Sequence, residues 1–280
     1  MSGVSPVQRS EAHAAIARAS AATGVDFDYL LAQARLESNL DTNAQARTSS
    51  AAGLYQFISG TWIDTLDRHG PTHGLGWAEA AITRNGGRAT VSDPAARAQI
   101  MALRFDPNVS SLMAAELARD NSAELRGFLG RDPDPAELYL AHFLGATGAR
   151  DFLGTFQDNP AASAVALFPK PANANRAIFF DGNRPRAVGE VMDLIRSKVA
   201  EAMEANANAN APQPGPVYAS SAPASTFARA ASSFAGERPA AGPVSMAETL
   251  QATFGGAGNL DDRAAQRIGE AYGKFKAFGL

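Results

Sequence analysis

One glutamate stands apart in this chain. Glu37 closes an apolar helical run and is followed by a polar loop of small residues, and then by the string Gly53-Leu54-Tyr55-Gln56-Phe57. A carboxylic acid partly withdrawn from water can protonate the leaving oxygen of a glycosidic bond while positive charge develops on the sugar ring. Most glycosidases add a second carboxylate as base or nucleophile. Here that partner is hard to find. Asp41 is the only acid between Glu37 and Trp62, and Asp26, Asp28, Asp64 and Asp67 read as capping or surface positions. A single glutamate suffices if the substrate supplies its own nucleophile, because the ionised acid then serves as the base that removes the nucleophile's proton.

Taken singly, these residues have plainer readings. A helix-end glutamate is usually solvated, and a carboxylate there meets the negative end of the helix dipole. Gln56 is an ordinary polar residue, while Tyr55, Phe57 and Trp62 read as core aromatics. His142 reads as a hydrogen-bonded core histidine. The combination, and not any one member, points to chemistry.

Other chemistries lack their residues. The chain has no Cys, which removes disulfides, thiolate metal sites and thiol catalysis together. His69 and His73 lie close in the HGPTHG string but without an HExxH-type carboxylate, so no metal is expected. No GxxxxGK[ST] phosphate loop occurs, and Gly86 and Gly87 read as turn residues. Ser38, Ser49 and Ser50 lie in no Gly-x-Ser-x-Gly elbow. A formal net charge of −3 argues against a nucleic-acid binder. No apolar run approaches the ~20 residues that a membrane span needs.

The elements that must position Glu37 are helical. Pro6 to Ala22 predicts a first helix, stopped by Thr23-Gly24. Asp26 can cap a second, to about Ser38, whose Phe27, Leu30, Leu31, Ala34 and Leu36 form a buried face. Ser59 or Thr61 would cap the next, and Asp67 to Trp77 reads as loop. Asp93-Pro94, Asp106-Pro107 and Asp134-Pro135 are helix starts with Pro at the first turn. Ser122 would open a short helix to Leu129, Gly145 would end the helix from Pro135, and a further short helix would hold Phe152 and Phe156. Val188 to Ala205 completes the set. No hairpin is evident, so residues 1–205 are expected to form an all-α domain. Residues 206–244 change to Asn, Ala, Pro and Ser and read as a linker. Residues 245–280 regain helical character and read as a tail for docking a partner.

Glu37-Ser38, the Ala/Ser/Thr loop and Gly53-Leu54-Tyr55-Gln56-Phe57 resemble the soluble-type lytic transglycosylase (SLT) domain, a lysozyme-like fold. That family's pattern is Glu-Ser, a Ser- and Gly-containing loop, then Gly-Leu-Met-Gln, with a later Ala-Tyr-Asn-Ala-Gly string. Ala141-His142-Phe143-Leu144-Gly145 is the counterpart of the last. The resemblance implies that Glu37 is the general acid and then the base. It implies that Ser38, Gln56 and Ser49 or Ser50 bind substrate or orient the glutamate, and that Tyr55 and Phe57 flank a glycan groove. The implied reaction cleaves the β-1,4 bond between N-acetylmuramic acid and N-acetylglucosamine in bacterial peptidoglycan, leaving a 1,6-anhydro end, with no cofactor or metal.

Two departures matter. Tyr55 replaces a Met, and His142-Phe143 replaces Tyr-Asn. The family's Tyr contacts the catalytic glutamate, so either His142 or Tyr139, one turn earlier, takes that place. Two other functions stay open: a hydrolytic muramidase, and a catalytically weak wall-binding module of a larger assembly. The N-terminal stretch has no signal-peptide apolar core. Action in the periplasm or cell wall would then need a flagellar, secretion-system or phage-associated route. The linker and tail would tether the domain to a wall-spanning assembly.

Overall fold

Caps and prolines set where the helices begin. In the computed structural model, which describes residues 4–47 and 49–210, α1 (Pro6–Thr23) opens on a reciprocal capping box between Ser5 and Gln8 and closes on Gly24 at φ 77°. Asp26 accepts the Tyr29 N–H at 2.8 Å and starts α2 (Phe27–Ser38). After α3 (Ser59–His69) come a 3-10 turn (Gly70–His73) and α4 (Gly76–Ala80). The three Asp-Pro pairs head α5 (Pro94–Ala102), α6 (Pro107–Leu129) and α7 (Pro135–Asp158), each Asp accepting from the first turn. A second 3-10 turn, Leu103–Phe105, joins α5 to α6. Short helices α8 (Ala164–Leu167), α9 (Pro169–Ala174) and α10 (Arg176–Phe179) lead to α11 (Val188–Asn210).

Over the described residues the protein is mostly helical, as expected of an all-α class, with several local differences. Two small antiparallel hairpins interrupt the helices. β1 (Thr83–Asn85) pairs with β2 (Arg88–Thr90) across Gly86 and Gly87, and β3 (Phe180–Asp181) pairs with β4 (Arg184–Pro185) across Gly182. Both turns use glycine at positive φ, where L side chains are strained. Neither Ser59 nor Thr61 caps α3: Ile58 holds the cap position, and the Ser50 hydroxyl accepts the Ser59 N–H at 3.1 Å. Much of the predicted 67–77 loop is helical or 3-10. Ser122 opens no new helix, since no Gly or Pro interrupts α6 before Gly127. Gly145 kinks α7 (φ 75°, ψ 158°) and does not end it.

The predicted linker starts too early. Val188, Val191, Met192, Ile195, Val199 and Ala202 form a buried stripe, and Asn206 extends it at helical spacing with no exposure. Its side chain accepts from Arg35 and donates to Asp28 O at 3.3 Å, fastening α11 to α2. The rest of the predicted linker beyond residue 210, and the tail at 245–280, lie outside the described residues.

Packing places α2 centrally. It contacts α1 and α11; α6 contacts α1, α3 and α7; and α11 also packs on α7. Leu30, Leu31, Trp62, Ile100, Met113, Leu140 and Phe152 belong to one buried cluster. Trp62 donates its indole N–H to Ile100 O at 2.8 Å. No described helix is long and apolar enough to cross a membrane.

The start of α7 carries an unusually complete cap. Asp134 and Glu137 exchange backbone bonds of 2.8 Å, and Arg131 forks onto both Glu137 oxygens at 2.7 Å. Burial pushes the Glu137 carboxyl up, but the Arg131 bonds and the Asp134 N–H outweigh it and hold the group below the usual glutamate value. Its stabilisation is therefore full above the ordinary glutamate range and is lost as pH falls through the lowered value. Glu137→Gln should cost about 1 to 2 kcal/mol in denaturant unfolding at neutral pH. The gap to wild type should close on acidification, and a gap that stays constant into strong acid would contradict this assignment.

Candidate functional site

Glu37 is the penultimate residue of α2 and is 7% exposed. Its Oε1 accepts the Tyr139 hydroxyl at 3.0 Å and lies 3.3 Å from His142 Nε2. Both partners come from α7, one helical turn apart. The alternatives left open by the sequence thus resolve into a shared contact: Tyr139 makes the hydrogen bond and His142 stands in ion-pair range of the same oxygen. Tyr139 is itself buried. Burial first, then the charge of Glu37 and the bond to it, hold the Tyr139 hydroxyl well above the ordinary tyrosine value. It therefore remains a protonated donor.

Among the described residues no second carboxylate touches Glu37. Asp26 caps α2, Asp41 accepts the Asn43 N–H, Asp64 pairs with Arg68 and Arg84, and Asp67 pairs with Arg84. Glu37 Oε2 receives no bond from the described residues, and the side chain keeps 10% exposure. This carboxyl group is gripped at one oxygen and available at the other.

The loop after α2 is locked to the helix end. The Ser38 hydroxyl has one proton and two carbonyls in reach, Leu54 O at 2.7 Å and Ala34 O at 3.2 Å. The Gln56 amide donates to Gly53 O at 2.9 Å and to Ala44 O at 3.2 Å. Ser38 and Gln56, expected among the substrate-binding residues, spend these groups on main-chain carbonyls and so position the loop beside Glu37. Ser49 and Ser50 are exposed; their hydroxyls accept from Ala51 N and Ser59 N, which leaves each O–H proton free to donate.

Tyr55 and Phe57 do not wall a groove. Tyr55 has no exposure and donates to Leu30 O at 3.2 Å, while Phe57 is buried edge-on against Trp62 with ring centroids 5.0 Å apart. The left-handed backbone of Gln56 between them, φ 48°, breaks the alternation of an extended strip, and both neighbours enter the core. Phe143 likewise packs on Phe179.

Backbone strain is concentrated here. Asn39 (φ 51°), Leu40 (φ 66°) and Gln56 are the non-glycine residues at positive φ among those described. All three lie in the segment that runs from Glu37 to the end of its loop. Such strain persists only where surrounding structure over-determines it, and it gathers at functional sites.

Arg104 is the site residue that sequence reading missed. It is 9% exposed, and its guanidinium donates to Ser50 O, Phe57 O and Met101 O, pinning both ends of the 50–57 segment. No local motif announces a cation that serves carbonyls this far along the chain. His69 and His73 also gain carboxylates that sequence separation hid: His69 Nε2 meets Asp120 and His73 Nε2 meets Glu116, each at 2.8 Å, from α6.

No protein-family model matches the chain. The tightest point of the site gives a direct test of its geometry. Gly53 has φ 78°, and a Cβ added there would lie 1.9 Å from Arg104 O, whereas one at Gly24, with the same φ class, meets nothing within 4 Å. Gly53→Ala should destabilise by about 3 kcal/mol or more, and Gly24→Ala by about 1 kcal/mol. Equal losses in chemical denaturation would refute the close approach.

Proposed function

We propose that this chain is a lytic transglycosylase of lysozyme-like fold that cuts the β-1,4 bond between N-acetylmuramic acid and N-acetylglucosamine in bacterial peptidoglycan. The observation that carries the reading is Glu37 itself: buried, bonded at Oε1 by Tyr139, without a carboxylate neighbour, and open at Oε2. The strained backbone on both sides of it supports a site over a structural carboxylate.

Glu37 Oε2–H gives its proton to the glycosidic oxygen as the C1–O bond breaks. The ionised carboxylate then takes the proton of the substrate's C6 hydroxyl, whose oxygen bonds to C1. The product is an intramolecular 1,6-anhydro acetal, and Glu37 ends protonated, as it began. Tyr139 stabilises the carboxylate in the interval, when it is charged and buried. Ser49 and Ser50 offer exposed hydroxyls for sugar contacts. The site of action in this reading is the cell wall, and any partner assembly would engage the chain beyond the described helices.

Mass spectrometry of muropeptides released from purified sacculi tests the proposal. Wild type should release products one water lighter than hydrolytic ones. Glu37→Gln should reduce release by at least about a hundredfold while keeping the wild-type melting temperature. Reducing ends in the products would favour a hydrolytic muramidase, and undiminished release by Glu37→Gln would remove Glu37 as the acid.

A further inference from the structure

Two donors stand at one oxygen of Glu37. The Tyr139 hydroxyl bonds Oε1 at 3.0 Å, and His142 Nε2 lies 3.3 Å from the same atom. Oε2 receives nothing from the described residues. A neutral carboxyl group has one proton to place, and its two oxygens are equivalent until their surroundings differ. An oxygen that already accepts from two donors has both lone pairs committed and is a poor place for that proton.

We propose that His142 acts with Tyr139 to keep the acid proton of Glu37 on Oε2, the oxygen left open. His142 is then a positioning residue. It does not exchange a proton with substrate; it decides which oxygen of Glu37 does. The ring suits the task, since its Nε2–H form donates toward Oε1 while its side chain is only 15% exposed. It is held alongside Tyr139 with ring centroids 6.0 Å apart. Gly145 follows three residues later, and its kink turns the rest of α7 away from the direction of the Tyr139–His142 turn. With Tyr139 as sole donor, Oε1 keeps a free lone pair, and part of the acid carries its proton where substrate does not meet it. Tight contacts of this kind often lengthen in the unliganded protein and shorten around the reacting group.

The inference rests on the glycan-cleaving reading, and three variants separate the two. In His142→Leu, kcat on purified sacculi should fall about tenfold, near the effect of one charge-assisted hydrogen bond, with KM within about twofold. His142→Gln places an amide N–H near the position of Nε2 and should recover most of the loss. Tyr139→Phe should also lower kcat, and all three should melt close to wild type. His142→Leu at wild-type rate, or His142→Gln as slow as His142→Leu, would overturn the role of the donor while leaving the activity intact. If wild type releases no product, the glycan-cleaving reading itself fails. Crystal structures then decide the geometry: in His142→Leu the Glu37 carboxyl should rotate or split between two orientations, and one unchanged from wild type would overturn the inference.

Discussion

The bond from Tyr139 to Glu37 spans 102 positions of sequence and brings the ends of separate helices together. Much of the architecture keeps that one contact in register. Glu37 is aimed by α2, which packs on α1 and α11, while Tyr139 is aimed by α7, which packs on α6 and α11. The shared neighbour α11 is fastened back to α2 through Asn206. A buried carboxylate without a donor would be costly, because the interior offers it no water. Tyr139 supplies the donor, and its own burial makes it one that does not ionise.

The second constraint is the clamp around the loop that follows. Ser38 ties the end of α2 to Leu54, Gln56 ties the turn to Ala44, and Arg104 holds Ser50 and Phe57 from the far side. These are hydrogen bonds to main-chain carbonyls, so they act on the path of the chain and not on side-chain identity. They explain how Asn39, Leu40 and Gln56 can stay at positive φ. Leu40 is 3% exposed, so core packing helps hold a backbone that it would not choose alone. The clamp also turns Tyr55 and Phe57 inward, which removes them from any surface and makes them the floor beneath the site.

Much of the fold was legible in the sequence because its signals are short-range. Asp26, Asp93, Asp106 and Asp134 accept bonds from residues two or three positions ahead, and Pro at the first turn needs no distant partner. The buried stripe of α11 was legible as far as Ala202, but a tract of alternating Asn and Ala hides its continuation through Asn206. The hairpins were missed because strands of two or three residues carry too little alternation to stand out, although Gly86 and Gly87 marked the turn. Gly145 was legible as a break, yet packing on both sides lets the helix resume after one residue.

The candidate site divides along the same line. By itself the sequence determined the catalytic-type carboxyl at a helix end, the scarcity of acids around it, the tight glycine of the following string and two possible partners in Tyr139 and His142. Each is a matter of residue type or near-neighbour spacing. Tertiary structure alone decided that both partners meet Oε1, that Ser38 and Gln56 serve the backbone, that Tyr55 and Phe57 are core, and that Arg104 belongs to the site at all. Those outcomes depend on which atoms of distant segments come within about 3 Å, the reach of a hydrogen bond. That distance is set by the packing of whole helices, and no local pattern encodes it.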